Sequence, residues 1–233
     1  MCTDHSPTLL AALRAGTRDL HARSEAAFVL GGPAVTRAVY ADVVERLMTF
    51  YAVAERTLAY WASALADCGL DLAARRKAPL LRRDLRVLGR ALGPGADLGA
   101  ATATALGAGL PSAAHAWGVL YVLEGATLGG QLLRRRLGPA LGLTPARGLA
   151  FFAAYGDDVG PMWRAFTAAL DRFDQSVPVP DRPAARAAAV AGARTAFLAF
   201  ERDVVAPTAV PDAMPGDSLD TPPAVAPPAP AAA

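Results

Sequence analysis

Apolar residues recur every three or four positions along almost the whole chain, and no stretch sustains the period-two alternation of a half-buried strand. The pattern predicts an all-α protein. Ser6-Pro7 reads as the first helix start, an N-cap residue followed by proline at the first helical position. That helix continues to about Phe28 and ends at Gly31-Gly32-Pro33. A long helix is expected from near Thr36 to Cys68, stopped by Gly69. Residues 71–92 read as one or two helices interrupted near Pro79, which cannot donate to the helical ladder. Residues 93–110, rich in Gly and Ala, read as a loop with a short helix. Ser112 is the expected cap of a helix that runs to Leu137 and stops at Gly138-Pro139. Three further helical segments fit 145–155, 158–175 and 183–205.

From Pro207 onward the composition turns to Pro, Ala, Asp and Gly, with hardly a large apolar residue to offset the entropy of ordering. The expected organisation is one helical domain over 7–205 and a disordered Pro/Ala-rich tail over 206–233. Hydrophobic residues at 53% and charged residues at 19% are a globular balance, and alanine accounts for much of the positive mean hydropathy. Apolar runs are interrupted by Glu124, Arg134 or Gly-Pro pairs before the ~20 residues a membrane span needs, so no span is expected. No basic-then-apolar leader opens the chain, and Cys2 and Cys68 form neither a disulfide framework nor a CxxC. A cytoplasmic location is the simplest expectation. The net charge of +2 gives no reason to expect nucleic acid. The clusters Arg75-Arg76-Lys77, Arg82-Arg83 and Arg134-Arg135-Arg136 are expected to be solvated helix faces, with no interleaved aromatics for single-strand binding.

On the first helix Leu9, Leu13, Gly16, Leu20 and Ala27 form an apolar stripe expected to face the core. A second stripe, Leu10, Arg14, Thr17, His21, Glu25 and Phe28, lies roughly 80–100° away. A histidine on that boundary is either a solvated surface residue or a ligand reaching into a crevice. Glu25, one turn later, is placed to accept from the second ring nitrogen, and Arg14 lies about 10 Å before His21 along the axis. Gly118, Gly125 and Gly129 project within about 40° of one another on the helix at 112–137. Each glycine costs about 1 kcal/mol relative to alanine, so the bare face requires a compensating gain. Two arrangements supply one: close packing of another helix, or close approach of a flat ligand. Tyr121, one turn before Gly125, shares that side.

The block Arg14-Ala15-Gly16-Thr17-Arg18-Asp19-Leu20-His21-Ala22-Arg23-Ser24-Glu25 resembles the N-terminal signature of haem oxygenases. The block from Tyr121 to Gln131 resembles their distal helix, in the form found in bacterial members associated with bacteriophytochromes, and Ala193-Arg194-Thr195-Ala196-Phe197 is a weaker echo of a late pocket-lining helix. The resemblance implies a single-domain haem oxygenase-like helical fold with haem between the first and the distal helix. It implies His21 as the proximal iron ligand, Glu25 as its partner, and Gly125 and Gly129 as distal glycines. It implies Arg14 and Tyr121 at the propionates, completed by Arg164 or Arg172, with Thr17, Ala126 and Phe197 lining the pocket. The implied activity cleaves haem, at once cofactor and substrate, to biliverdin, carbon monoxide and ferrous iron. It uses molecular oxygen and electrons from an external reductase or ferredoxin, and a bacteriophytochrome is a candidate biliverdin acceptor. The chain departs from the family at Ala126, where mammalian-type members carry aspartate and many bacterial ones serine. That departure motivates an alternative of another class, a haem-binding carrier or sensor without turnover; a third reading is a helical interaction protein whose glycine face only packs.

Overall fold

The computed structural model describes residues 8–32, 35–90, 106 and 108–205, and among these every regular element is helical. Seven α-helices follow one another: α1 Leu9–Ala27, α2 Arg37–Ala59, α3 Ala62–Asp67, α4 Ala78–Val87, α5 Ala113–Leu141, α6 Val159–Ser176 and α7 Arg182–Phe200. The Thr8 hydroxyl caps α1 through the Ala11 amide (3.2 Å) and Thr36 caps α2 through Val39 (3.2 Å). Ser6 and Pro7, the expected start, lie outside the described residues, as do the tail over 206–233 and most of 93–110. In α1 the buried line is Leu9, Leu13, Thr17, Leu20 and Ser24, so the core stripe is rotated from the expected one and Ala27 is exposed.

Four expectations on the elements change. The single helix expected from Thr36 to Cys68 breaks at Tyr60-Trp61, where the Trp61 amide bonds the Leu58 carbonyl three residues back (2.9 Å) and the chain turns into α3. Pro79, expected to interrupt a helix, instead sits in the first turn of α4, where its missing N–H costs nothing. The helix expected over 112–137 overruns Gly138-Pro139 and ends at Gly142, whose φ of 62° lets the Leu143 amide return to the Gly138 carbonyl (3.0 Å). Residues 145–155 form turns, not a helix. The buried Asp84 carboxylate takes the Ala150 and Phe151 amides at 2.8 Å each, and the Tyr40 hydroxyl donates to the Gly148 carbonyl at 2.6 Å. These long-range partners satisfy the backbone in place of an i→i−4 ladder.

α7 runs along both α5 and α1, while α2 packs on α4 and on the π-helical turn Glu201–Val205 that follows α7. The α5–α7 crossing is a backbone contact: a Cβ on Gly118 would stand 1.8 Å from the Ala189 carbonyl oxygen, and one on Gly192 would stand 2.2 Å from the His115 carbonyl oxygen. Trp117 fills the space beside this crossing, stacked on Phe173 with centroids 5.6 Å apart. The crossing thus fixes the first half of α5 and leaves its second half to be placed by other contacts.

Candidate functional site

The three glycines of the expected bare face divide into two kinds. Gly118 is packing, pressed against α7 as the close-contact arrangement requires. At Gly125 and Gly129 an added Cβ would meet nothing within 4 Å, so these two open onto unfilled space. Leu128 and Leu132 share that face and are 43% and 72% exposed, an apolar lining without cover.

The opposite wall is α1. Two interactions link it to α5: the buried Thr17 hydroxyl, which donates to the Leu13 carbonyl (2.7 Å), acts on the Tyr121 phenol, and the Arg136 guanidinium donates to the Leu30 and Gly31 carbonyls just past the end of α1. The two ties are about 22 Å apart along α5. His21 follows Thr17 by one turn and Gly125 follows Tyr121 by one turn, so both stand in the interval between the ties.

His21 is 64% exposed at its side chain, with Nδ1 3.7 Å from Glu25 Oε2. The Phe197 ring meets the imidazole edge-on at 6.0 Å between centroids and is itself nearly buried. Nδ1 therefore faces the carboxylate, and Nε2 is the nitrogen left for a ligand. Arg14 is exposed at the Tyr121 end, where it acts on the phenol. Burial raises the Tyr121 pKa, opposed by Thr17 and by the Arg14 charge, which keeps the hydroxyl protonated as a donor at neutral pH. Ala126 is exposed and adds only a methyl group to the wall. Arg14, Thr17 and Tyr121 thus gather together, and His21 stands with Glu25 and Phe197 one turn further along α1, as Gly125 does one turn further along α5.

Arg172 does not join them. Its Nε donates to the Cys68 carbonyl at 2.7 Å, on the far side of α6 from Trp163, the residue that contacts Tyr121. Arg164 is exposed beside Trp163.

Several residues that shape the site escaped sequence reasoning. Arg194 donates to Asp19 (2.9 and 3.1 Å) and to the Gly16 carbonyl (2.8 Å), while Arg23 and Ser24 both donate to Glu201. These clamps flank His21 and fix the roll of α1 on α7. Each holds its carboxylate below the usual range through the arginine hydrogen bond, Asp19 by Arg194 and Glu201 by Arg23. The Arg75-Arg76-Lys77 cluster is also not a solvated face: Arg76 is exposed, but Arg75 and Lys77 are buried. They are buried because they are paired, Arg75 with Glu124 and Lys77 with the same carboxylate at 3.5 Å. Ser112, expected to cap α5, directs its hydroxyl to His115 Nδ1 at 2.9 Å instead.

No helix among the described residues is long and apolar enough to cross a membrane. The sequence profile described as "Heme oxygenase" matches residues 7–206. A "Heme oxygenase" of Xanthomonas campestris pv. campestris (strain 8004) is 35% identical over 174 residues, which span 73% of this chain and 92% of that one. The solved structure of heme oxygenase from Leptospira interrogans superposes with a TM-score of 0.67 at 20% identity, covering 83% of this chain and 98% of that chain, a likeness of fold. With the profile matching most of its length, the chain belongs to the heme oxygenase family.

Proposed function

We propose that this chain is an oxidoreductase that binds haem between α1 and α5 and converts it to biliverdin, carbon monoxide and ferrous iron. What supports the reading is an exposed imidazole, His21, one turn past Thr17 on α1, together with two glycines on α5, Gly125 one turn past Tyr121 and Gly129 a turn later, whose missing side chains leave open space. The residues present suit the group: a nitrogen ligand on one wall, a flat apolar wall opposite, and a cation with a phenol at one end. Haem supplies the iron at which oxygen is activated and is itself the substrate opened at a meso carbon.

The chain's own residues have separable tasks. His21 would ligate through Nε2, with the Glu25 carboxylate, 3.7 Å from Nδ1, placed to orient the ring. Phe197 buttresses the imidazole edge. Arg14 would pair with a propionate by charge, and Tyr121 would add a hydroxyl at the same end. Gly125 and Gly129 keep side-chain bulk and acid–base groups off the distal wall, leaving backbone and water to hydrogen-bond there. Ala126 contributes no hydroxyl or carboxylate, so the distal polar contacts come from backbone and water. Electrons come from a separate reductase or ferredoxin, and the likeness of the Tyr121–Gln131 block makes a bacteriophytochrome the favoured bilin acceptor. Purified protein loaded with haemin, then given ascorbate in air with catalase present, should lose its Soret band as a biliverdin spectrum grows. A Soret band that persists under reductant assigns the chain to haem carriage or sensing instead.

A further inference from the structure

Directly behind the open glycine face lies a buried polar cluster that the reaction as described does not use. Glu124, the residue before Gly125, is 1% exposed. Its carboxylate accepts from Arg75 through one oxygen and from the Tyr155 hydroxyl through the other (2.8 Å), with Lys77 Nζ 3.5 Å away. Lys77 Nζ also donates to the Tyr155 hydroxyl (2.6 Å) and to the Arg75 carbonyl (2.8 Å), and lies over the Tyr155 ring. Arg75 further donates to the Met162 carbonyl (3.3 Å). From α2, Glu55 accepts the Lys77 and Ala78 amides at 2.5 and 2.9 Å, which anchors the segment presenting both cations.

Two features argue that the cluster serves placement and not only cohesion. A buried ion pair rarely stabilises a fold more than apolar residues of similar volume, so retaining four polar groups here calls for a geometric reason. Tyr155 adopts φ 66°, the one positive value at a non-glycine among the described residues, and a bulky side chain enters that region only when its surroundings hold it there. Its hydroxyl is held by the hydrogen bonds to Glu124 and Lys77, and its carbonyl accepts the Asp158 amide (2.8 Å). On the other side of the same turn, Gly125 and Gly129 bring no side chain to anchor it, and the Thr127 hydroxyl draws on the Glu124 carbonyl (2.6 Å), a contact that loosens a helical turn. Upstream, α7 grips α5 at Gly118.

We propose that Glu124 is a positioning residue: its buried carboxylate, held by Arg75, Lys77 and Tyr155, sets where the Gly125–Gly129 turn stands opposite His21. The proposal rests on the reading of that turn as the distal wall of the haem site. The test is amide hydrogen exchange on the haem-free full chain, comparing wild type with Glu124→Gln and with the milder Tyr155→Phe. Exchange at 125–130 should rise about tenfold in Glu124→Gln and less in Tyr155→Phe, while 114–119, gripped by α7, keeps the wild-type rate. Loaded with haemin, both variants should bind one equivalent but show a displaced pH midpoint of the ferric-haem spectral transition. A uniform rise along α5, no rise at 125–130, or an undisplaced midpoint overturns the proposal. If wild type itself takes up no haemin, the functional reading falls, and the exchange comparison still decides whether Glu124 places the turn.

Discussion

Alanine substitutions at Gly118 and Gly125 should act in opposite directions on the haem-free protein. Both residues lie in α5, seven positions apart on one face, so helix propensity treats them alike. At Gly125 the new methyl meets nothing within 4 Å, and the change should stabilise by the propensity difference alone, about 1 kcal/mol. For a domain of this size that is a rise of about 2–4 °C in melting temperature. At Gly118 the same methyl would stand 1.8 Å from a backbone oxygen of α7 and 2.7 Å from the Ala193 nitrogen, and backbone atoms cannot turn aside as a side chain can. The crossing must open, at a cost of about 3 kcal/mol or more after the propensity gain is offset. Urea unfolding of the two variants beside wild type measures both, provided the slopes agree. Destabilisation by Gly125→Ala to the extent of Gly118→Ala would refute the reasoning, because the cleft would then be closed by packing. Haemin should reverse the order at Gly125: Gly125→Leu fills the space the ligand requires and should weaken haemin binding about tenfold or more.

Other expectations follow from the clamps and caps. Replacing Arg194 by Ala removes the hydrogen bond that holds Asp19 below the usual carboxylate range. A carboxylate with a lowered folded-state pKa stabilises above its unfolded pKa, and that contribution disappears as pH falls through the folded value. The melting-temperature gap between wild type and Arg194→Ala should therefore be full at neutral pH and narrow below the ordinary carboxylate range; a gap constant down to strong acid would contradict it. Asp84→Ala strips one buried and one part-buried amide of their acceptor and should cost about 3 kcal/mol in urea unfolding, whereas a cost under about 1 kcal/mol would mean those turns are held otherwise. His21→Ala removes a mostly exposed ring and should alter haem-free stability by less than about 0.5 kcal/mol by the same measurement; a larger loss would make His21 a packing residue.

What was legible in the sequence was local. Thr36 and Gly69 announce helix ends by their own chemistry, and both stand where expected, Gly69 at φ 75°. The placing of His21 beside Glu25 and of Tyr121 one turn before Gly125 follows from helical spacing. What escaped depends on partners remote in the chain. Residues 145–155 have helical composition, but Asp84 reaches across from α4 to take their amides. Periodicity put Gly118, Gly125 and Gly129 on one face and could not separate them, because it does not reveal that the α7 backbone presses on Gly118 and not on the other two. Arg75 and Lys77 looked solvated because their buried partner, Glu124, lies 49 residues from Arg75. The signal that was available was Glu124 itself, a lone carboxylate in a run of apolar residues and glycines, where burial demands a cation.

The most direct test of the account is a haemin titration of wild type and His21→Ala, followed by visible spectra of the ferrous forms with and without added imidazole. Wild type should saturate at one equivalent with a histidine-ligated spectrum. His21→Ala should lose that spectrum and regain it when imidazole takes the vacated position. A His21→Ala spectrum identical to wild type would show that another group holds the iron and that the cleft between α1 and α5 is not the haem site.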